Sequence, residues 1–380
     1  MFRNYLKVAL RSLWKTKGFA AINIIGLATG LGVCLLIALY VLDELNYDRY
    51  NPKADRIYRL DAEIYFNNTL FNAATSPKPL PVTLVKEYPQ VEQMVRINFF
   101  SSGDVMIKKG SDWVQDHHLA FADSTFFQVF PLPFLSGDPM TALKEPHSIV
   151  IDESTARRYF NSSDVIGKTL QLENKNLCKI TGVIRDMPRA SHFHFSLIRP
   201  LRDTWMGDEN KWLNNNVVSY ILVRPGTNRE FLQSRVDATT NTFIGRDLQE
   251  LFHISDKEMR QQGAYFRYHL MPLTDIHLRS DKSYELEPNG NINDVYVFSC
   301  IAILILVIAC VNFMNLSTAQ FTRRIKEASI RKILGLGRKE LSISYFVEAL
   351  TFCVLALLVA LAAAQLLLPG FNYITAKKLT

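Results

Sequence analysis

The chain has 380 residues, of which 48% are hydrophobic and 21% charged, and its formal net charge is +7. This length has room for two or three compact domains, or for one domain with membrane spans. The positive charge is concentrated in residues 1–18 and 323–340, which each carry a net +5, whereas residues 43–294 carry −4. Because both basic segments border long apolar runs, the charge does not indicate a nucleic-acid-binding protein.

Three runs of the chain contain no charged residue, at 19–42, 295–322 and 349–376. Each exceeds the roughly 20 apolar residues that a helix needs to cross a bilayer. We therefore predict transmembrane helices at 19–42, 295–322 and 341–368. The first run is longer than the apolar core of a signal peptide, and no small-x-small cleavage site follows it. We expect it to be retained in the mature protein.

The basic segments predict the orientation of the chain. The positive-inside rule places residues 1–18 and 323–340 in the cytoplasm and residues 43–294 outside. Lys377 and Lys378 fall on the outer side and run against this rule. The N-terminal segment has the pattern of an amphipathic helix at the inner membrane surface, although a plain basic flank fits as well. Its cations recur every four residues, at Arg3, Lys7, Arg11 and Lys15.

Small and ionisable residues within the spans are candidates for helix contacts. Gly26 and Gly30 form a small-xxx-small pair in the first span, which would let another helix approach closely. Glycine is also common in membrane helices for no special reason. Glu348 lies just inside the third span, where an ionisable side chain usually faces a partner. It could tie that span to a neighbouring helix or to the basic loop, or it could extend to the nearby membrane surface.

The region 43–294 mixes strand and helix signals and predicts an α+β domain with two subdomains. Its clearest signals are strands at 55–66 and 179–188, a helix in PKPLPVTLVKEYP, and a strand then a helix at 148–160, capped near Asp152. Cys178 is the single cysteine of this region. The domain therefore has no internal disulfide and must be held together by its apolar core.

A nucleotide-binding loop is suggested by Gly167, Lys168 and Thr169, but the match is incomplete. The phosphate-binding pattern needs an earlier glycine, and Ser162 stands at that position. The stretch also lies on the predicted outer side, where ATP is scarce. We therefore predict that this chain is not itself an enzyme and binds no cofactor.

Two histidine pairs could begin a zinc site, because neutral imidazole is a common metal ligand. They are His117 with His118 and His192 with His194. No carboxylate or thiol stands at a standard motif spacing from them, and HFHF alternates as a β-strand does. We favour histidines of a strand and a loop, predict no metal, and keep a periplasmic metalloenzyme as an alternative.

The basic segment 323–340 separates the second and third spans. Its apolar and basic residues fall on opposite sides of a helical wheel. The apolar side carries Ile330, Ile333 and Leu334, and the basic side carries Arg324, Arg331 and Lys332. Gly335 and Gly337 are expected to end this helix before Arg338. A short helix between two spans can pass movement to both, but a charged turn that only fixes orientation fits equally well.

The stretch RRIKEASIRKILGLGRKEL, followed by SYFVEAL, resembles the signature of the MacB/FtsX-like ABC transporter permeases. The matching positions are Glu327, Ile330, Arg331, Lys332, Leu334, Gly335, Arg338, Glu348 and Ala349. Ala328, Ser329 and Ile333 depart from the pattern mildly. WKTKGFAAINIIGLATGLGVCLLI resembles the first span of the family, and NPKADRIYRL and ITGVIRDMPRASHFHF resemble its periplasmic core domain. The chain is similar to Bacteroidetes-type members that have no fused ATPase.

This resemblance implies an α-helical integral membrane protein with a large α+β extracytoplasmic domain between spans 1 and 2. It also implies that a separate cytosolic ATPase, using ATP and magnesium, pushes on the loop after span 2 and so moves the periplasmic domain. The implied coupling residues are Arg324, Glu327, Ile330, Arg331, Ile333, Leu334 and Arg338. The implied segments are a cytoplasmic helix (1–18), span 1 (19–42), the core domain (43–294), span 2 (295–322), the coupling loop (323–340), span 3 (341–368) and an outer loop (369–380).

The family has four spans, so we expect this chain to be the N-terminal part of a longer permease in a bacterial inner membrane. The implied partners are the ATPase, a second copy or a second permease half, membrane lipid, and a periplasmic or outer-membrane protein. No nucleic acid is expected. The alternative function is an FtsX-like regulator or receptor that activates a periplasmic partner. The sequence does not name a transported substrate.

Overall fold

The structure is a computed structural model. It describes residues 11, 13–14, 17–375, 377 and 379, with internal gaps at 67, 99–102, 174–175, 205–210, 254–262 and 334–336. Side chains are also undescribed at residues 252, 320–328 and 330–332. The predicted N-terminal amphipathic helix falls almost wholly outside the described residues. The chain forms two compact units, one of residues 1–45 with 291–380, and one of residues 46–290.

The helices and strands are defined by their bounds. The helices are α1 (Lys17–Leu45), α2 (Pro79–Glu87), α3 (Phe126–Val129), α4 (Glu153–Phe160), α5 (Arg229–Phe252), α6 (Leu273–Arg279), α7 (Ile292–Ile333) and α8 (Arg338–Thr375). The strands are β1 (Ile57–Phe66), β2 (Thr69–Ala73), β3 (Ser76–Pro77), β4 (Val91–Asn98), β5 (Gly103–Lys109), β6 (Asp112–Ala122), β7 (Phe134–Gly137), β8 (Ser148–Asp152), β9 (Thr169–Gln171), β10 (Leu177–Ile184), β11 (Leu197–Pro200), β12 (Asn215–Val223) and β13 (Tyr265–Pro272). Short 3₁₀ turns lie at Ala54–Arg56 and Leu201–Asp203.

Three helices of the described chain are long and apolar enough to cross a membrane: α1, the Ile292–Ala319 part of α7, and α8. This confirms the three predicted spans. α1 packs against both of the others. Small residues make that close packing possible, because Ala28 of α1 shares one buried cluster with Ala309 of α7 and Ala356 and Ala360 of α8.

The second span, predicted to end at residue 322, and the basic residues that follow it lie on one unbroken helix, α7, of 42 residues. No glycine or proline occurs between Ile292 and Ile333. A change from apolar to basic side chains leaves the backbone hydrogen bonds intact, so nothing stops the helix at the predicted boundary. Residues 323–333 of the basic segment thus directly continue the helix of the second span.

The third span is also longer than predicted. α8 continues through Pro369 to Thr375, where an outer loop was expected to begin at residue 369. Contacts beyond the proline hold this last part. Asn372 donates from Nδ2 to the Leu379 carbonyl at 3.0 Å, and its Oδ1 accepts from the Leu379 amide at 2.9 Å. The Lys377 amide also donates to the Asn372 carbonyl at 3.0 Å, which satisfies one of the carbonyls that the end of a helix otherwise leaves open.

The unit 46–290 is built on one mixed sheet, which confirms the predicted α+β class. The strand order is β13-β1-β12-β4-β6-β11-β8-β10-β7, with β2, β3, β5 and β9 paired at its sides. Most pairs are antiparallel, and β6–β11 and β8–β10 are parallel. Three buried apolar clusters form the core. The division into two subdomains stays a prediction.

The predicted local elements of this unit are largely confirmed. Strands β1 and β10 and helix α2 form where the sequence predicted them. Asp152 caps α4 by accepting the Thr155 amide at 2.7 Å. Cys178 is a buried free thiol. Gly167 sits at φ +80° in a turn that leads into strand β9, so the lysine and threonine beside it do not open a helix as a phosphate loop requires.

The HFHF stretch is not the strand that its alternation predicts. Strand β11 begins only at Leu197, and the preceding residues are irregular. Phe193 and Phe195 stack on each other with their ring centres 4.9 Å apart, and both are buried in the core. Period-two alternation favours a strand only when a neighbouring strand is there to pair with it. In HFHF no such pairing occurs, and each side chain has its own contacts elsewhere in the unit.

Candidate functional site

The predicted coupling residues lie at the junction of α7 and α8. The backbone of α7 carries Arg324, Glu327, Ile330 and Arg331, whose side chains lie outside the described residues, as does the whole of Leu334. The side chain of Ile333, the last residue of α7, is 85% exposed. Arg338 is exposed and begins α8. A large apolar side chain is therefore presented at the end of a helix that extends 14 residues past the apolar part of α7.

The two predicted packing glycines face α7. A Cβ atom placed on Gly30 would lie 2.5 Å from Cβ of Ala309, and one on Gly26 would lie 3.2 Å from Nδ2 of Asn312. The first distance is shorter than any real contact between carbon atoms, so Gly30 fixes how closely the helices approach. On the α8 side, a Cβ on Gly32 would meet the Ala360 carbonyl oxygen at 3.6 Å, an ordinary contact.

Glu348 lies within α8, is half-buried and stands one turn before the buried Phe352. In α1, Asn23 is also buried, at 2% exposure. Two amide- or carboxyl-bearing side chains thus lie inside the apolar unit, where polar groups are costly and usually connect helices. The predicted tie of Glu348 to a neighbouring helix stays a prediction.

Lys377, which ran against the charge rule, is neutralised by the end of α1. Its Nζ pairs with Asp43 and lies 2.6 Å from Oε1 of Glu44. It also lies 4.9 Å from the ring centre of Tyr40. Burial opposes the charge, but the two carboxylates outweigh it and raise the pKa of Lys377 above its usual value. The lysine therefore joins α1 to the segment after α8 instead of adding an exposed positive charge.

A buried charged cluster in the unit 46–290 is a feature that the sequence analysis missed. Arg59 of β1 is fully buried, and its Nε donates to Oδ1 of the equally buried Asp61 at 2.6 Å. Its guanidinium also pairs with Glu285 and donates to Oγ of Ser280 at 2.8 Å. Two opposite charges two residues apart share one face of a strand. The spacing of Arg59 and Asp61 within strand β1 was the available signal.

Three of the four histidines considered for zinc contact a carboxylate. On the β5–β6 hairpin, His117 Nδ1 lies 2.7 Å from Asp104, and both side chains are exposed. His192 contacts Asp48 at 2.8 Å, and His194 contacts Glu287 at 2.9 Å. Within the described part of the chain, no group of three or more His, Cys, Asp or Glu side chains is arranged to hold a metal ion.

Two family models match the chain and together span most of it. The model of the MacB-like periplasmic core domain matches residues 20–239. The model of the FtsX-like permease C-terminal region matches residues 299–378. The chain belongs to the MacB/FtsX-like family of ABC transporter permeases. The second match includes the whole predicted coupling segment and Glu348, and with its three apolar helices the permease is a membrane protein.

The permease is also similar to solved structures of domains from related systems. A domain described as part of a permease from Porphyromonas gingivalis is 20% identical, with a TM-score of 0.48, over 65% of this chain and 98% of that chain. The periplasmic region of MacB from Actinobacillus actinomycetemcomitans is 15% identical, with a TM-score of 0.36, over 55% and 92%. The extracellular domain of the noncanonic ABC-type transporter YknZ from Gram-positive bacteria is 13% identical, with a TM-score of 0.35, over 56% and 99%. Comparison with curated proteins gives no match.

Proposed function

We propose that this permease couples ATP hydrolysis by a separate cytosolic ATPase to movement of the unit 46–290, and that this movement exports a substrate or extrudes it from the periplasm. The observation that carries the proposal is the continuity of α7. This helix begins two residues after the unit ends and runs unbroken through its apolar part to Ile333. A force applied at the basic end thus has a continuous, hydrogen-bonded path to the domain.

The same proposal fixes the orientation and the location. The basic segments at 1–18 and 323–340 belong on the cytoplasmic face of a bacterial inner membrane, and the unit 46–290 in the periplasm. The pairing of Lys377 with Asp43 and Glu44 supports this arrangement, because it neutralises one of the two lysines that conflicted with it. ATP and magnesium are bound by the partner ATPase.

We further propose that the permease works as a dimer, with a second copy or with a second permease half. The apolar part of α7 is the least covered of the three spans in the described chain, with only 6% of its most apolar 18 residues buried. Its outward face carries large apolar side chains such as Val307 and Ile308. Another helix packed on this face, with lipid on the remainder, would complete its environment.

The test is site-specific photo-crosslinking in native membranes. A photoreactive residue at Ile333, with a second at Ile330, should capture a protein that carries a nucleotide-binding motif. The matched control is Ile303, which is 62% exposed within the apolar part of α7 and should capture only lipid or membrane helices. If Ile333 gives the same products as Ile303, the coupling role is wrong. A deletion strain, assayed for efflux and for activation of a cell-wall hydrolase, then separates transport from the FtsX-like regulatory alternative.

A further inference from the structure

Two short segments connect the unit 46–290 to its flanking helices, and both contact the same loop. The N-terminal connector is residues 46–51, which follow α1. The C-terminal connector is residues 280–290, which precede α7. The loop is residues 188–196, which contains HFHF and is called the clasp loop below. The two connectors are more than 200 residues apart in sequence.

The N-terminal connector is held through Asp48. This residue adopts φ +61°, a left-handed conformation that costs a non-glycine residue energy and persists where surrounding contacts impose it. Its amide donates to the Ala190 carbonyl at 2.7 Å, and its Oδ1 lies 2.8 Å from Nδ1 of His192. Both side chains are 1% exposed. On the other side of the ring, Nε2 of His192 lies 2.7 Å from the hydroxyl of Tyr220, in the central strand β12.

The C-terminal connector is held through Glu287. Its Oε2 lies 2.9 Å from Nδ1 of His194, and its Oε1 accepts the His194 amide. The other ring nitrogen, Nε2, lies 3.1 Å from the Pro188 carbonyl. A carboxylate and a carbonyl both accept hydrogen bonds, so these two partners favour the protonated imidazolium, and the hydrogen bond with Glu287 raises the pKa of His194.

The two histidines cannot move independently, because the residue between them is fixed in the core. Phe193 is fully buried and lies edge-on to Phe130 at 5.0 Å, and Phe195 stacks on it. A movement of the loop backbone at one histidine therefore shifts Phe193 within its densely packed cluster and displaces the other histidine as well.

We propose that the clasp loop joins the two connectors mechanically, with His192 and His194 as positioning residues that make both connectors move together with the central sheet. The inference deepens the proposed function, on which its role in transport rests. The connectors are the only covalent links between the described unit 46–290 and the flanking helices. If the clasp loop joins the two connectors, a movement of α1 or of α7 would move the unit 46–290 as a whole.

The test is hydrogen exchange of the full-length protein in nanodiscs, followed in peptides covering residues 46–51 and 286–290. His194→Gln should lower protection about tenfold in the C-terminal peptide, the effect of losing one charge-assisted hydrogen bond. If the clasp loop joins the two connectors, His194→Gln should also lower the protection from exchange in the N-terminal peptide. Independent anchors would leave that peptide unchanged, and this result would overturn the proposal.

Matched variants sharpen the measurement. Asp48→Asn keeps an oxygen acceptor and tolerates the left-handed conformation, and Glu287→Gln keeps the shape of its side chain while removing the charge. Each should lower protection in both peptides. The control is His117→Gln, on the exposed hairpin, which should change neither. If Asp48→Asn fails to fold, since that side chain is 1% exposed, the Glu287 variant still decides, because its side chain is 31% exposed. The exchange measurement does not require the ATPase. The crosslinking test at Ile333 can therefore fail while the exchange test supports the clasp loop, and the exchange test can fail while the crosslinking test succeeds.

Discussion

The buried cluster around Arg59 gives a prediction that can be worked out from the structure. Arg59 and Asp61 have side chains that are fully buried, and the Glu285 side chain is 13% exposed. Burial disfavours the charge on Arg59, but the two carboxylates outweigh it and raise its pKa further. Removing the arginine leaves two carboxylates with little access to water and without the cation that pairs with both of them.

The expected cost of Arg59→Met is about 3–5 kcal/mol of unfolding free energy, the range found when one partner of a buried ion pair is removed. Most of that cost is the burial of unpaired charge and not the lost attraction. The triple variant with Asp61→Leu and Glu285→Leu removes all three charges. It should therefore recover most of the stability, since apolar replacement of a whole buried ionic cluster is often neutral or stabilising.

The assay is urea unfolding of the full chain in detergent, followed by tryptophan fluorescence. The control is Arg56→Met. Arg56 pairs with Glu92 at 3.0 Å, but the side chains are 27% and 43% exposed. Its loss should cost about 1 kcal/mol or less. A triple variant as unstable as Arg59→Met would refute the reasoning, because the cost would then come from lost packing or lost hydrogen bonds. So would an Arg59→Met effect no larger than that of the control.

Two further predictions concern the clasp loop and the helix contact. The hydrogen bond with Glu287 raises the pKa of His194, so the ion pair contributes its full stability below about pH 6.5 and loses it as pH rises through the raised pKa. The difference in unfolding free energy between the native chain and His194→Gln should therefore shrink between about pH 6 and pH 9, and a constant difference would exclude the charged pair. Gly30→Ala should cost about 1–3 kcal/mol, because the new Cβ would lie 2.5 Å from Ala309 and the helices must separate. Gly18→Ala, which meets nothing within 4 Å, should leave the melting temperature in detergent unchanged or raise it, and equal melting of the two alanine variants would contradict the contact.

The spans were predictable because each depends on local composition alone. A run of apolar residues without charge is sufficient to indicate a membrane helix, whatever it packs against. The predicted end of the second span at residue 322 does not coincide with the end of a helix, because polarity and backbone continuity are separate properties. The charge pattern indicates where the membrane ends, whereas only a breaker such as glycine or proline indicates where a helix ends. α7 has no breaker before Ile333.

The contacts that organise the unit 46–290 were not predictable, because their partners are far apart in sequence. Arg59 and Glu285 are separated by 226 positions, and Asp48 and His192 by 144. Nothing in the local pattern of either partner names the other. The HFHF alternation is likewise shared by a strand and by a loop whose side chains have separate partners, and only the tertiary contacts distinguish them.

Because α7 is unbroken, it also fixes the angle about the helix axis between the residues at its two ends. An α-helix turns by about 100° for each residue, and it has no joint where it lacks glycine and proline. The side of the helix on which Ile333 stands is therefore set by the number of residues that separate it from Ala309, where α7 meets Gly30. One residue added or removed between them would change the length by only about 1.5 Å but would turn the basic end about a quarter of the way round. Adding or removing a residue between Ala309 and Ile333 would thus alter the direction in which the basic end faces far more than it would alter the length of the helix.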